Sequence, residues 1–301
     1  MKLSSLTAAL VAVTLFGAPA LAQQADTHNH NHAGEEQLAQ QEVKRSITGI
    51  APNLYRFQNN FHFSVFLVTD DGVIATDPIN ADAATWLEGE IKSRFNQEIK
   101  YLVLSHDHAD HSAGGEVWAD TATVVAHANA RDVIIAEKRP TATPDLTFTD
   151  NMNITLGGQT VELSYVGRNH SDNMIVMNFP AQRALFAVDF IPVKTVAFRD
   201  FGDAYLPEWQ ESLRRVEAMD FDILVPGHGR LGTKADVAAF REYMDDLWAA
   251  VKDAVRAGKT VEQAQAEIKL DKYADWAQFE AWGPLNIAGA HRIFSQHRRG
   301  N

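Results

Sequence analysis

Short apolar runs alternate along most of the chain with longer segments whose apolar positions recur every three or four residues. Short runs bounded by Gly, Pro and Asp are typical of strands, and the longer amphipathic segments are typical of helices. The pattern predicts strands at residues 53–57, 63–68, 73–76, 101–104, 123–126, 152–156, 160–166, 174–178, 183–187 and 223–225. It predicts helices at 81–95, 113–118, 129–137 and 207–219, and a helical chain from 234 onward.

This order of elements predicts an α/β protein built as an αββα sandwich, in which two sheets pack face to face with helices outside. Each half of residues 46–232 contributes strands and helices, and we expect the strand-end loops of both halves to meet along one edge. Residues 233–301 are expected to form a helical C-terminal extension packed on the sandwich. A substrate-covering or dimerising extension is the alternative.

The first 45 residues do not follow the alternation. Residues 1–22 combine a basic start, an apolar stretch and a small-x-small ending at Ala22, which is typical of a secretory signal peptide. The apolar stretch is shorter than the roughly 20 residues of a membrane span, so we expect cleavage after Ala22 and a periplasmic or secreted protein. Residues 23–45 read as a mobile linker. Its His28, His30 and His32 are expected to have no function, with weak metal capture as the alternative.

Composition narrows the partners and the metal chemistry. The formal net charge of −12 makes nucleic acid and anionic membranes poor partners, so we expect a small-molecule substrate. No later segment is apolar enough to span a membrane, and nothing in the sequence indicates an oligomeric state. The chain has no cysteine, so its core must suffice without disulfides. Only His, Asp and Glu remain as strong metal ligands, which favours zinc, manganese or iron.

Groups that could bind a metal are concentrated where apolar strands end. The predicted strand 101–104 runs directly into the sequence His106-Asp107-His108-Ala109-Asp110-His111. Imidazoles and carboxylates crowded on one strand-end loop can converge on a metal ion, and crowding them costs stability unless something binds them. This run therefore predicts a metal site.

Three further candidates, His170, Asp189 and His228, each follow an apolar strand closely. A single histidine in such a place is usually structural, and a single aspartate is often a turn residue. Together with residues 106–111 they make a joint pattern that is difficult to obtain by chance.

With these residues in this order, the chain resembles the metallo-β-lactamase-fold hydrolases over about residues 53–229. The resemblance implies two adjacent metals with separate ligand sets: His106, His108 and His170 for the first, and Asp110, His111 and His228 for the second. It also implies that Asp189 bridges the two metals. Asp77 matches the family's structural aspartate, which supports the loop of the main motif from behind.

The resemblance further implies two Zn²⁺, with iron or manganese as alternatives, and a metal-bridging hydroxide that attacks the substrate. Asp110 is expected to orient this hydroxide and pass on a proton, besides ligating. Asp107 is expected to make supporting hydrogen bonds rather than to ligate. Lys194 and Arg168 are candidates for substrate contacts, each with a solvated surface side chain as the alternative.

Two local resemblances point to different substrates. Residues 170–173, 201–209 and 225–229 look like the periplasmic zinc β-lactamases that use a cysteine ligand. Asp189, however, stands where that cysteine would be, and His111 is an imidazole that those enzymes lack. This pair is instead similar to glyoxalase II, lactonases and other general hydrolases of the fold.

We therefore expect an exported binuclear zinc hydrolase that cleaves an ester, thioester, lactone or amide. Hydrolysis of β-lactam antibiotics is the alternative. Two further alternatives rank below these: a mononuclear iron oxygenase that acts on sulfur compounds, and a periplasmic metal-binding protein.

Overall fold

The computed structural model describes residues 43–296. The predicted signal peptide, the predicted linker up to residue 42 with its three histidines, and residues 297–301 lie outside the described part. Arg45, assigned to the linker from sequence, is already the first residue of a strand, in which it pairs with Asn59. The predicted linker therefore ends before Arg45, because Arg45 takes part in the backbone pairing between the first two strands.

The first sheet has seven strands in sequence order. They are β1 (Arg45–Ala51), β2 (Leu54–Asn59), β3 (His62–Thr69), β4 (Gly72–Thr76), β5 (Ile99–Val103), β6 (Thr123–His127) and β7 (Leu146–Phe148). The first four strands pair antiparallel and are joined by short turns, and β4 to β7 pair in parallel. Helix α1 (Ala81–Phe95) connects β4 to β5, because a parallel pair needs a long crossover.

The second sheet has five strands in the order β12-β11-β10-β9-β8. They are β8 (Asn151–Leu156), β9 (Gln159–Ser164), β10 (Val176–Phe179), β11 (Ala184–Val188) and β12 (Ile223–Pro226). Strands β8 to β11 are antiparallel, and β11 and β12 are parallel across helix α4 (Leu206–Glu217). The carboxyl ends of β11 and β12 therefore lie at the same edge of this sheet.

The remaining helices are α2 (Ala109–Ser112), α3 (Ala128–Glu137), α5 (Lys234–Arg256), α6 (Val261–Glu267) and α7 (Phe279–Gln296), with 3₁₀ turns at Gly115–Val117, Pro180–Gln182 and Asp271–Tyr273. The predicted helix at 113–118 is wrong. Ala113 is extended and Gly114 has a φ of 87°, so this segment is divided between the single turn of α2 and a 3₁₀ turn.

Two apolar layers hold the sandwich. One lies between the sheets and continues into the C-terminal helices, and the other lies between the first sheet and helices α1 and α3. Strand β3 shows how alternation serves both layers: Val65 and Leu67 belong to the first, and Phe66 between them belongs to the second. This is the predicted αββα arrangement with a helical C-terminal region. None of the helices among residues 43–296 combines the length and apolarity that crossing a bilayer requires.

Candidate metal centre

The seven residues named from sequence come together in two neighbouring groups at the strand-end edge. His106, His108 and His170 form the first group, and Asp110, His111, Asp189 and His228 form the second. Within each group the candidate ligand atoms lie within 4.8 Å of one another. These residues come from the carboxyl ends of β5, β11 and β12 and from the loop after β9, so the fold assembles what the sequence separates.

In the first group, the Nδ1 atom of His108 lies 3.1 Å from the Nε2 atom of His170. His106 is fully buried, and its Nε2 atom has no hydrogen-bond partner. A buried polar atom without a partner costs stability. The first group therefore presents inward-facing nitrogens of the kind that a divalent metal would satisfy.

In the second group, the Nε2 atoms of His111 and His228 lie 3.2 Å apart. The Oδ1 atom of Asp189 lies 3.1 Å from the first of these nitrogens and 3.3 Å from the second. Asp110 Oδ2 approaches the same two nitrogens at 3.8 and 3.6 Å. Asp110 is the more exposed carboxylate, since 47% of its side chain is accessible against 11% for Asp189.

The Asp189 carboxylate faces both groups. Its Oδ1 atom lies among the second group, has no geometrically proper hydrogen bond and is buried. Its Oδ2 atom lies 3.8 Å from His170 Nε2 in the first group. Gly227 allows this packing, because a Cβ there would lie 2.6 Å from the His111 ring and 2.8 Å from Asp189 Oδ1.

The outward-facing nitrogens of His106 and His111 are held by one buried acceptor system. His106 Nδ1 lies 2.9 Å from Ser105 Oγ, which in turn donates to Asp77 Oδ2 at 2.7 Å. The Ser105 amide donates to Asp77 Oδ1 at 2.8 Å. His111 Nδ1 faces Asp77 Oδ2 at 3.4 Å, an electrostatic contact without the geometry of a hydrogen bond. Asp77, which lies directly after β4, thus fixes the loop and orients both rings.

The other two outward-facing nitrogens have acceptors from distant loops. His108 Nε2 lies 2.8 Å from Asp203 Oδ2, and His228 Nδ1 lies 3.0 Å from the carbonyl oxygen of Phe61. An acceptor at one ring nitrogen selects the tautomer that leaves the other nitrogen as a lone-pair donor. Three of the five histidines, His106, His108 and His228, therefore have a hydrogen bond that orients them for metal ligation, and His111 has the Asp77 carboxylate facing its Nδ1 atom.

Burial and neighbouring charges set the protonation of these groups. Burial, with the neighbouring imidazoles His108 and His111, holds the pKa of His106 well below its ordinary value, and burial also lowers the pKa of His170. Burial opposes protonation of His228 as well, but the neighbouring carboxylates of Asp110 and Asp189 raise its pKa to about 9. Burial likewise opposes protonation of His108 and His111, but Asp203 raises the pKa of His108, and Asp189 with Asp77 holds the pKa of His111 well above its ordinary value. His106 and His170 are therefore ready to ligate near neutral pH, whereas His108, His111 and His228 must each lose a proton to a bound metal.

The two carboxylates of the second group are ionised. Burial alone would favour their protonated forms, but the neighbouring imidazoles outweigh it. The pKa of Asp189 lies well below its usual range because of His111 and His228, and that of Asp110 is lowered by hydrogen bonds with His228 and His62. His62 was not a site candidate from sequence, yet its Nε2 atom lies 3.4 Å from Asp110 Oδ2.

Asp107 faces away from the imidazoles. Its carboxylate accepts hydrogen bonds from Asn173 Nδ2 and from Arg139, each at 2.8 Å. Its amide donates to Asn173 Oδ1 at 3.0 Å. Asp107 thus ties the loop of residues 106–111 to the loop that carries His170.

Arg56 on β2 is a further residue that sequence reasoning did not single out. Its guanidinium donates to the carbonyl oxygens of Gly229 at 2.5 Å and Pro226 at 3.5 Å, on either side of His228, and lies 3.5 Å from the ring centroid of Phe63. No local signal could have shown this, because the contact joins distant parts of the chain. Asp203 was not predicted either, although it lies in the segment 201–209 that resembles the zinc β-lactamases.

The two predicted substrate contacts belong to neither group of candidate ligands. Arg168 pairs with Glu208 at 2.5 Å, and its guanidinium lies 4.7 Å from the ring centroid of Tyr205. The Lys194 ammonium lies 5.9 Å from the ring centroid of Trp276, which precedes α7. Their part in substrate binding stays a prediction.

The donor set fits borderline or hard divalent metals. Imidazole nitrogens and carboxylate oxygens suit zinc, manganese and iron, and each group supplies at least three inward-facing donors. The unpartnered buried atoms of His106 and Asp189 point the same way, since both lack a protein partner where a metal would supply one.

Comparisons with known proteins agree on one family. A family model described as the metallo-beta-lactamase superfamily matches residues 61–228, so the match ends before α5. The chain is 26% identical over 215 residues to the 2,4-dinitroanisole O-demethylase subunit alpha of Nocardioides sp. (strain JS1661), covering 70% of this chain and 62% of that one. It thus spans less than two thirds of that relative.

The chain is also 27% identical over 174 residues to the metallo-beta-lactamase type 2 of Bacillus cereus, covering 56% of this chain and 67% of that one. Among solved structures, a metallo-beta-lactamase from Pontibacter korlensis superposes with a TM-score of 0.60 at 22% identity. That superposition covers 67% of this chain and 99% of the other, and it shows a shared fold.

Proposed function

The chain belongs to the metallo-β-lactamase superfamily of metal-dependent hydrolases, and from this premise we propose that it is a binuclear zinc hydrolase that cleaves an ester, thioester, lactone or amide bond. One observation carries the proposal: the outward nitrogens of three histidines have hydrogen-bond partners and that of His111 faces the Asp77 carboxylate, while the inward nitrogens converge with two carboxylates. Such an arrangement has little purpose without a metal, because it leaves buried donor atoms unpaired.

We assign the ligands by group. His106, His108 and His170 would hold the first metal, and Asp110, His111 and His228 the second. Asp189 would bridge, since its two carboxylate oxygens face the two groups separately. Two divalent ions held there would lower the pKa of a bound water and so supply hydroxide near neutral pH.

The protein's own residues would direct this chemistry. Asp110 is the exposed carboxylate of the site, and its Oδ2 atom lies 3.4 Å from His62 Nε2 and 3.6 Å from His228 Nε2. It would orient the attacking water and accept its proton. Asp77, Ser105 and Asp203 would hold the histidine rings so that this geometry does not have to be rebuilt in each turnover.

Hydrolysis of β-lactams is the second candidate, favoured by the relatives named metallo-beta-lactamase. The general hydrolase is preferred because the chain has no cysteine. Asp189 and His111 occupy the site instead, and a carboxylate that bridges two metals constrains them differently from a thiolate on one.

Metal analysis with a substrate panel tests the proposal. We expect about two zinc ions per chain and turnover of an acyl lactone, ester or thioester that His108→Ala abolishes. His127→Ala is the matched control, because His127 belongs to neither group and its ring bonds the Thr149 carbonyl oxygen. If nitrocefin or 2,4-dinitroanisole were turned over faster than these acyl compounds, the proposed substrate class would be wrong. A single iron, or readily released metal with no turnover, would refute the proposal.

We also propose export to the periplasm or medium, on the strength of residues 1–22 alone. The protein recovered from the periplasm of an expressing bacterium should begin at Gln23. Retention of Met1 on active cytoplasmic protein would refute export without affecting the proposed chemistry.

A further inference from the structure

The C-terminal helices lie outside the part of the chain that the family model matches, yet they contact a loop of the metal centre. That loop, residues 189–205, connects β11 to α4 and carries both Asp189 and Asp203. Its middle part pairs with the segment before α7: Val196 donates to the Ala277 carbonyl at 3.2 Å, and Ala277 donates to that of Lys194 at 2.9 Å. The loop is thereby joined to the C-terminal region by its backbone.

Three residues of α7 extend this contact toward Asp203. Asn286 is fully buried, and its Nδ2 atom donates to the carbonyl oxygens of Ala197 at 2.9 Å and Arg199 at 2.5 Å. The Oδ1 atom of Asn286 accepts from the hydroxyl of Tyr243 on α5. Because the buried Asn286 amide is the donor to two carbonyl groups of the loop, it fixes the position of the loop backbone relative to α7.

One turn further along α7, the backbone of the loop approaches Gly289 closely. A Cβ at this glycine would lie 2.0 Å from the Asp200 carbonyl oxygen and 2.5 Å from its carbonyl carbon. Arg292 then donates to the Asp200 side chain at 2.7 Å and to its carbonyl oxygen at 2.8 Å. Residues of α7 therefore contact both the backbone and the side chain of Asp200, three residues before Asp203.

The loop depends on these contacts because parts of its backbone adopt an unfavourable conformation. Arg199 and Phe201 both have positive φ, at 46° and 59°. Non-glycine residues are strained in this region of the Ramachandran plot, and they persist there only where the surrounding structure imposes the conformation. Without contacts from α7, the loop has reason to relax.

We propose that α7 is a clamp that positions Asp203 against His108, so that the C-terminal helices are part of the metal centre. Asp203 holds His108 Nε2 at 2.8 Å and thereby directs Nδ1 toward His170 Nε2. Asn286, Gly289 and Arg292 are positioning residues that act through Asp203. The inference rests on the proposed function in one respect, namely that His108 ligates a metal.

Two glycines of α7 provide the test. Gly289→Ala forces the Asp200 backbone away, whereas Gly283→Ala is the matched control, since a Cβ at Gly283 would meet its nearest neighbour at an ordinary 3.9 Å. Zn²⁺ affinity is measured by competition with a chelating dye, and thermal unfolding reports folding. We expect Gly289→Ala and Asp203→Asn each to lower the Zn²⁺ affinity of the first ligand group by about 10- to 100-fold. We expect Gly283→Ala to change affinity by less than about twofold.

The double variant separates a clamp from a general loss of stability. If α7 acts through Asp203, Gly289→Ala should weaken Zn²⁺ binding no further once Asp203 is asparagine. Full additivity of the two changes, or equal affinity of the two glycine variants, would overturn the clamp. A wild-type protein that binds no Zn²⁺ would overturn the proposed function itself.

If Gly289→Ala does not fold, a second pair makes the same comparison. Arg292→Met removes the bonds to Asp200, and Arg256→Met removes an exposed pair with Asp253 on α5. Weaker Zn²⁺ binding in the first variant alone supports the clamp, and equal binding in both refutes it.

Discussion

Replacing Asp77 by asparagine tests the idea that one buried carboxylate orients two histidine rings. Asp77 is completely buried after β4. Its Oδ1 atom accepts from the Ser105 amide at 2.8 Å, and its Oδ2 atom accepts from Ser105 Oγ at 2.7 Å and faces His111 Nδ1 at 3.4 Å. Asparagine has nearly the same shape, but it places an NH₂ group where Oδ2 stood.

The size of the effect follows from these contacts. The amide oxygen of asparagine can still accept from the Ser105 backbone, so that bond is kept. The two contacts at Oδ2 become donor-to-donor contacts, and a bond to a charged group contributes about 1.5–3 kcal/mol. Because the Ser105 hydroxyl can rotate in part, we expect a loss of about 3 kcal/mol, or a Tm lower by about 6–12 °C.

Urea unfolding in the presence of a chelator measures this loss on the metal-free protein, and dye competition measures Zn²⁺ affinity separately. Thr76→Val is the matched control. The Thr76 hydroxyl is equally buried one residue earlier, and it bonds the amide and carbonyl of Val65 at 3.0 and 2.9 Å rather than any ring. We expect both variants to lose stability, and only Asp77→Asn to lose about 10- to 100-fold in Zn²⁺ affinity.

Two results would refute this reasoning. If Asp77→Asn bound Zn²⁺ as tightly as Thr76→Val, the rings would be oriented without Asp77. If its stability fell by less than about 1 kcal/mol, the bonds at Oδ2 would not contribute as charged hydrogen bonds do.

Three further predictions concern the same centre. The raised pKa of His228, about 9, stabilises the metal-free protein below its unfolded value of 6.5, and this contribution is lost as the pH rises through 9. Since metal must displace at least that proton, Zn²⁺ affinity should rise at least about tenfold per pH unit toward pH 9 in dye competition, and a flat profile would contradict the assignment. Arg56→Met should cost about 2 kcal/mol in urea unfolding by releasing the Gly229 carbonyl, and an unchanged midpoint would exclude that role. Stripping the metal should lower the Tm measured by calorimetry, because ions bound at 100 times their Kd contribute about 2.7 kcal/mol per site; equal Tm values would argue against ligation in the folded state.

Much of the site could be predicted because many of its candidate ligands are close together in the sequence or directly follow a recognisable strand. The imidazoles and carboxylates of residues 106–111 are contiguous, and the strand before them sets where they lie. His170, Asp189 and His228 could be found because each follows an apolar strand, and parallel strands place their carboxyl ends at one edge. The departure at 113–118 has a local cause as well, since Gly114 adopts a positive φ that interrupts a helix.

What the sequence could not reveal are the partners that hold these ligands. Asp203, Arg56 and the Phe61 carbonyl look like ordinary loop and strand positions until folding brings them beside His108 and His228. The contact of Gly289 with Asp200 is likewise invisible in a helical pattern.

The sequence by itself determined the alternating elements, the ligand types and the absence of a thiolate, because periodicity and side-chain chemistry are properties of neighbouring residues. Only the tertiary structure decided which ring nitrogen of each histidine is free to bind a metal, and which loops hold it there. That choice depends on partners such as Asp203 and the Phe61 carbonyl, which loops distant in sequence supply, and such contacts leave no periodic trace in the chain.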